Sequence, residues 1–110
     1  MCKRRIRDAL VTSASGTYRA EAYLHERGCM GASQTHIDIV LARDPCGLRE
    51  LLARGGHCVR ASHAGGEVLV DLSGMLGFPC TIVFEDPGGF SRGRVYLMAS
   101  RSGALYISRC

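Results

Sequence analysis

Along much of the chain, apolar residues occupy every second position, and this period of two predicts β-strands. The clearest case is the segment Thr35–Ala42, in which the alternating apolar residues are Ile37, Ile39 and Leu41. By the same criterion, further strands are predicted over Arg5–Ala14, Cys80–Glu85, Arg92–Ser100 and Ala104–Arg109. Short turn sequences separate the later strands, so the second half of the chain predicts an antiparallel sheet of about five strands.

A β-hairpin is predicted around Gly65-Gly66, because a glycine pair tolerates the positive φ angles of a two-residue turn. This turn predicts the cross-strand pairs Ala64 with Glu67, His63 with Val68, Ala61 with Val70, and Val59 with Leu72. The register places most apolar side chains of both strands on one face, which supports the pairing.

One helix is predicted over Pro45–Arg54, where leucines recur at helical spacing. Asp44 is placed to cap its first turn, and proline is favoured at a first helical position. Gly55-Gly56 supplies a stop. A turn or a single helical turn is expected over Ser73–Gly77.

Two interpretations are open for Thr17–Arg27. Alanine, glutamate, arginine and leucine favour a helix, whereas the alternation of Tyr18, Ala20, Ala22 and Leu24 favours a strand. We prefer the helix, because alanine is poor in strands. The strand alternative would make Ser15-Gly16 a hairpin turn.

Together these elements predict a single α+β domain spanning residues 1–110, with residues 1–4 as a candidate flexible basic tail. The expected architecture is an antiparallel sheet of about five to seven strands with one or two helices packed on one face. The longest apolar stretches fall well short of the ~20 residues that span a bilayer. The basic N-terminus is not followed by the apolar segment of a signal peptide. We therefore predict a cytoplasmic protein with no membrane contact.

The net charge of +4 comes from one lysine and thirteen arginines against ten acidic residues. This excess is milder than in typical nucleic-acid-binding proteins, so a nucleic-acid-binding accessory protein is kept only as an alternative. Two basic groups support that alternative: Lys3, Arg4, Arg5 and Arg7, and then Arg92, Arg94 and Arg101. The preference for arginine over lysine is associated with GC-rich bacterial genomes.

Six cysteines lie far apart in the sequence, and we expect them to be reduced, several of them inside apolar strands. Metal-ligand types occur at His25, Cys29, His57, Cys58 and His63. They lack the paired spacing of known metal sites, so no metal and no cofactor are predicted. Cys46 is a candidate nucleophile, because the first turn of a helix favours the thiolate.

The leading functional hypothesis is a non-enzymatic binding or protein-interaction protein, expected to be a homodimer and to be encoded on a bacterial mobile element. Dimerisation is expected because an exposed sheet edge is usually covered. A further alternative is a small enzyme or small-molecule-binding protein with a pocket between helix and sheet. Besides Cys46, the candidate site residues are His36 and Asp38 on the outward face of their strand, and Arg92 with Arg94 as ligand-binding residues.

Overall fold

The computed structural model describes residues 2–28, 34–88 and 93–110. Within these residues the chain forms nine β-strands and two short helices. The strands are β1 (Lys3–Arg5), β2 (Ala9–Ser13), β3 (Gly16–His25), β4 (His36–Val40), β5 (His57–Ala64), β6 (Glu67–Asp71), β7 (Cys80–Glu85), β8 (Gly93–Ala99) and β9 (Leu105–Arg109). The helices are α1 (Leu48–Ala53) and α2 (Ser73–Leu76).

Eight of the strands form a closed antiparallel barrel. Around the barrel they follow the order β3-β2-β7-β6-β5-β8-β9-β4, and β4 pairs again with β3. The short strand β1 pairs with residues 23–25 of β3, beyond residues 16–20 of β3 that pair with β2. Each barrel strand is therefore hydrogen-bonded to a neighbour on both sides.

The predicted α+β class is wrong, whereas the antiparallel pairing is as expected. The two described helices have six and four residues, and they form no layer over a sheet face. Helix α1 lies in the connection between β4 and β5, packs against β8, and adds Leu48 and Leu52 to the core.

The segment Thr17–Arg27 explains the error, because it contains a strand and not the preferred helix. Its strand β3 pairs with β4, and this pairing closes the sheet into a barrel. Ala20 and Ala22 face the barrel interior and are buried. Small side chains suit this crowded interior, so packing overrides the weak strand propensity of alanine.

The core fills the barrel interior with side chains that alternate along the strands. An eight-stranded barrel is just wide enough for such filling. Phe84 is the largest of the fully buried side chains, which also include Ile37, Ile39, Ile82, Leu97, Leu105 and Ile107.

Several local predictions are confirmed. Three of the four predicted pairs around Gly65-Gly66 form, from Ala64 with Glu67 to Ala61 with Val70. The fourth predicted partner, Leu72, lies beyond the end of β6, and on its other edge Val59 pairs with Val95 of β8. The Asp44 carboxylate accepts hydrogen bonds from the backbone N–H groups of Leu48 and Arg49, at 2.8 and 2.9 Å. The predicted contact of Asp44 with the first helical turn is confirmed, but the helix begins at Leu48 and not at Pro45, and its N-cap residue is Gly47.

The prediction of reduced cysteines is wrong for the described residues. Cys46 is bonded to Cys80 of β7, and Cys58 of β5 is bonded to Cys110, just beyond β9. Cys2 is disulfide-bonded as well, and Cys29 lies outside the described residues. Disulfides persist in oxidising compartments. The cytoplasmic location stays a prediction.

Candidate metal centre

Strand pairing brings together residues that are far apart in the sequence. In the β3–β4 pair, His25 lies opposite His36 and Tyr23 lies opposite Asp38. Residues at alternate positions of these strands fill the barrel interior, so these four side chains lie on the outer face. On the other side of β4, Tyr106 of β9 lies opposite Asp38.

The three side chains His25, His36 and Asp38 form what we call the histidine–aspartate cluster. The Nε2 atom of His25 lies 3.1 Å from Oδ2 of Asp38, and Nε2 of His36 lies 3.6 Å from Oδ1. The two imidazole rings are stacked, with centroids 4.4 Å apart. Between 17% and 22% of each side chain is exposed, so the cluster is shielded but reachable from solvent.

Gln34 and Tyr106 hold the ring of His36 in place. Tyr106 stacks on the opposite side of this ring at a centroid distance of 4.3 Å, and the Gln34 amide donates a hydrogen bond to the Tyr106 hydroxyl. The Nδ1 atom of His36 lies 3.4 Å from the backbone carbonyl of Gln34. A carbonyl only accepts, so this contact assigns the proton of the neutral ring to Nδ1.

This tautomer leaves the lone pair of His36 Nε2 facing the Asp38 carboxylate. Two electron-rich atoms in this position need a proton or a cation between them. Burial lowers the pKa of His36, an effect that outweighs the opposite influence of the Asp38 charge. A metal cation between these atoms suits the ligand types, imidazole and carboxylate.

Two polar atoms of the cluster also lack hydrogen-bond partners. They are His25 Nε2, which is close to the carboxylate but not aligned for a hydrogen bond, and Asp38 Oδ1. Both are buried, and buried polar atoms without partners are uncommon because their desolvation is not compensated. A metal ion bound to the imidazole nitrogen and the carboxylate oxygen would satisfy both.

The donor set is suitable for a divalent transition metal. In the described part of the chain, His25, His36 and Asp38 are the one group of potential ligands that meets the spacing of a metal site, with ligand atoms within 4.8 Å of one another. Imidazole and carboxylate together suit Zn²⁺ and similar ions, at about 2.0–2.2 Å from each ligand atom. The two rings must tilt from their parallel orientation so that their lone pairs converge on the ion.

A cavity of about 410 Å³ adjoins the cluster at Asp38. We call it the helix–sheet cavity, because Arg49 of α1 lines one wall and Tyr23 and Asp38 on the outer face of the sheet line another. Lys3 also lines it, with its ammonium group 4.3 Å from the centre of the Tyr23 ring. The cavity therefore places two basic side chains near the candidate metal ligands.

No protein-family model, no curated protein sequence and no solved structure matches the chain.

The structure brings together some of the candidate residues predicted from the sequence and separates others. His36 and Asp38 lie together on the outward face, whereas Cys46 is bonded to Cys80 and carries no free thiol. Arg94 lies on β8 and donates a hydrogen bond to the backbone carbonyl of Cys58, and Arg92 lies outside the described residues.

Sequence reasoning did not connect His25 with His36. The expectation of no metal site came from spacing along the chain, and such spacing does not detect pairs across strands. A usable signal was nevertheless present. The strand alternative for Thr17–Arg27, followed by the strand Thr35–Ala42, would have formed a hairpin with both histidines near its loop.

Proposed function

We propose that this protein is a non-enzymatic binding protein that holds a divalent transition-metal ion, with Zn²⁺ as the preferred ion, through His25, His36 and Asp38. The observation that carries the proposal is the convergence of three ligand atoms on the outer face of the β3–β4 pair. The ligands belong to a closed barrel, so the fold limits their separation before any ion binds.

A metal explains the cluster better than a simple ion pair does. An ion pair between Asp38 and one protonated histidine would leave the second histidine without a role. A single divalent cation engages both rings and the carboxylate together, and the contact from Gln34 to His36 Nδ1 is the outer-shell hydrogen bond common in histidine metal sites.

The test is titration of the metal-free, disulfide-intact protein with Co²⁺, followed by its visible absorption, and with Zn²⁺ by calorimetry. We expect one ion per chain. We expect each of the substitutions His25→Ala, His36→Ala and Asp38→Asn to weaken the metal affinity. The loss should be at least the ~10–100-fold that removal of an outer-shell partner causes.

The matched control is His57→Ala, which removes an exposed histidine outside the cluster and should leave the affinity unchanged. Far-ultraviolet circular dichroism verifies that each variant keeps its strands. Absence of Co²⁺ and Zn²⁺ binding by the wild type would overturn the proposal. Equal weakening by the His57 and His36 substitutions would overturn it as well.

The homodimer, the protein partner and nucleic-acid binding stay predictions. The expectation of a dimer came from an exposed sheet edge, and closure of the barrel pairs both edges of every barrel strand. Native mass spectrometry of the gently purified protein measures the number of chains and the bound metal in one experiment.

No helix in the described residues has the length and apolar character to cross a membrane.

A further inference from the structure

The helix–sheet cavity begins where the proposed metal site ends, because Asp38 belongs to both. Its volume of about 410 Å³ lies in the range of small-molecule pockets, about 300–1,000 Å³. Three protein ligands leave at least one coordination position of a zinc-like ion open to water or to another ligand. A molecule in this cavity is therefore close to an ion held by the cluster.

The charges around the cavity favour an anion. Lys3 and Arg49 are cationic, and a divalent ion on Asp38 would more than neutralise that carboxylate. The positive groups lie on separate elements: the metal ligands on β3 and β4, Lys3 on β1 and Arg49 on α1. A ligand with negative charge at two separated ends matches this arrangement better than one with a single charged group.

Arg49 is held in a position to receive one of those ends. Its guanidinium donates a hydrogen bond to the backbone carbonyl of Leu41, which fixes the side chain against the end of β4. Its Nε atom is buried and has no hydrogen-bond partner. The planar guanidinium suits recognition of a carboxylate through two parallel hydrogen bonds, so an incoming carboxylate would satisfy this donor.

We propose that the helix–sheet cavity binds a small organic dicarboxylate, with one carboxylate on the open position of the metal and the other on Arg49 and Lys3. The inference rests on the metal site proposed above. It identifies the second ligand of that site and the side chains that select it. A phosphate ion carries its charge at one centre, so it satisfies only one of the two positions.

The experiment uses the full chain loaded with Co²⁺ and titrated with succinate, a four-carbon dicarboxylate. We expect succinate to change the visible spectrum of the bound Co²⁺ in the wild type. Propionate, which lacks the second carboxylate, should bind at least about tenfold more weakly, because charge-assisted hydrogen bonds to the distal carboxylate are lost.

Arg49→Gln should weaken succinate binding at least about tenfold while the Co²⁺ affinity stays within about twofold, because Arg49 is not a metal ligand. The matched control is Arg54→Gln, just beyond the same helix, where Arg54 is exposed and lies 3.7 Å from Glu50. It should change neither affinity. Lys3→Gln, on an exposed side chain, provides a second test if Arg49→Gln does not fold.

The outcomes separate the two proposals. Failure of the wild type to bind Co²⁺ would overturn the metal site and, with it, this inference. Binding of Co²⁺ without a response to succinate, or an equal response in the Arg49 and Arg54 variants, would overturn only the dicarboxylate site. A response to inorganic phosphate in place of succinate would also overturn it.

Discussion

At the scale of single residues, Gly56 shows how closely the chain packs where β5 begins. A Cβ atom at this position would overlap the ring of Tyr96 and lie 2.8 Å from the backbone carbonyl oxygen of Leu97. Gly56 is not among the glycines with positive φ, so the requirement for glycine here is a matter of space. Tyr96 lies on β8, the strand that pairs directly with β5 in the barrel.

We therefore expect Gly56→Ala to destabilise the protein by about 1–3 kcal/mol, the range for overpacking a tight site. Urea denaturation measures the change in the free energy of unfolding. Gly74→Ala is the control, because a Cβ there has no neighbour within 4 Å. Comparable stability of the Gly56 variant and the wild type would show that Tyr96 moves aside at little cost.

At the scale of elements, the residues of β3 alternate between the barrel interior and the outer face. Ala20, Ala22 and Leu24 face the interior, while Arg19 and Glu21 are exposed on the outer face. The pattern alone predicted β4 and β7 well, because their interior positions carry branched or aromatic side chains. In β3 the interior positions are mostly alanines, which satisfy a helical and an extended pattern equally.

The same ambiguity prevented the candidate metal centre from being predicted. His36 and Asp38 were identified from β4 alone, since their strand alternates clearly. His25 could join them only once β3 was known to be a strand paired with β4. Closure likewise depends on pairings between distant strands, such as β2 with β7, that local periodicity does not determine.

We expect Ala22→Leu to destabilise the protein by about 1–3 kcal/mol, because the added atoms have no room in the barrel interior. Arg19→Leu adds an apolar side chain on the exposed face of the same strand and should change stability by less than ~0.5 kcal/mol. Thermal or urea unfolding compares the two variants. A larger loss for Arg19→Leu would contradict the orientation of β3.

At the scale of the whole molecule, disulfides connect elements that are not hydrogen-bonded to each other in the sheet. The Cys46–Cys80 bond joins the segment before α1 to the start of β7, across 34 residues of sequence. The Cys58–Cys110 bond joins β5 to the residue that follows β9, across 52 residues. Each bond reduces the conformational freedom of the unfolded chain.

Replacing both cysteines of one bond by serine should lower the free energy of unfolding by about 2–4 kcal/mol, slightly more for the longer loop. Urea denaturation of the two double variants, beside the oxidised wild type, measures these losses. Adding a reductant to each double variant measures the contribution of the remaining disulfides, which include the bond of Cys2. A double variant as stable as the wild type would contradict a stabilising role for its disulfide.

Closure of the barrel also has a consequence for the order in which the chain folds. The final strand, β9, pairs with β4, and their partners Ile37 and Ile107 are separated by seventy residues. During synthesis, β4 therefore has an unpaired edge until β9 has left the ribosome. Non-local pairing of this kind slows folding and exposes strand edges to other molecules. Conditions that delay the emergence of β9 from the ribosome should favour aggregation of the nascent chain over a correctly closed barrel.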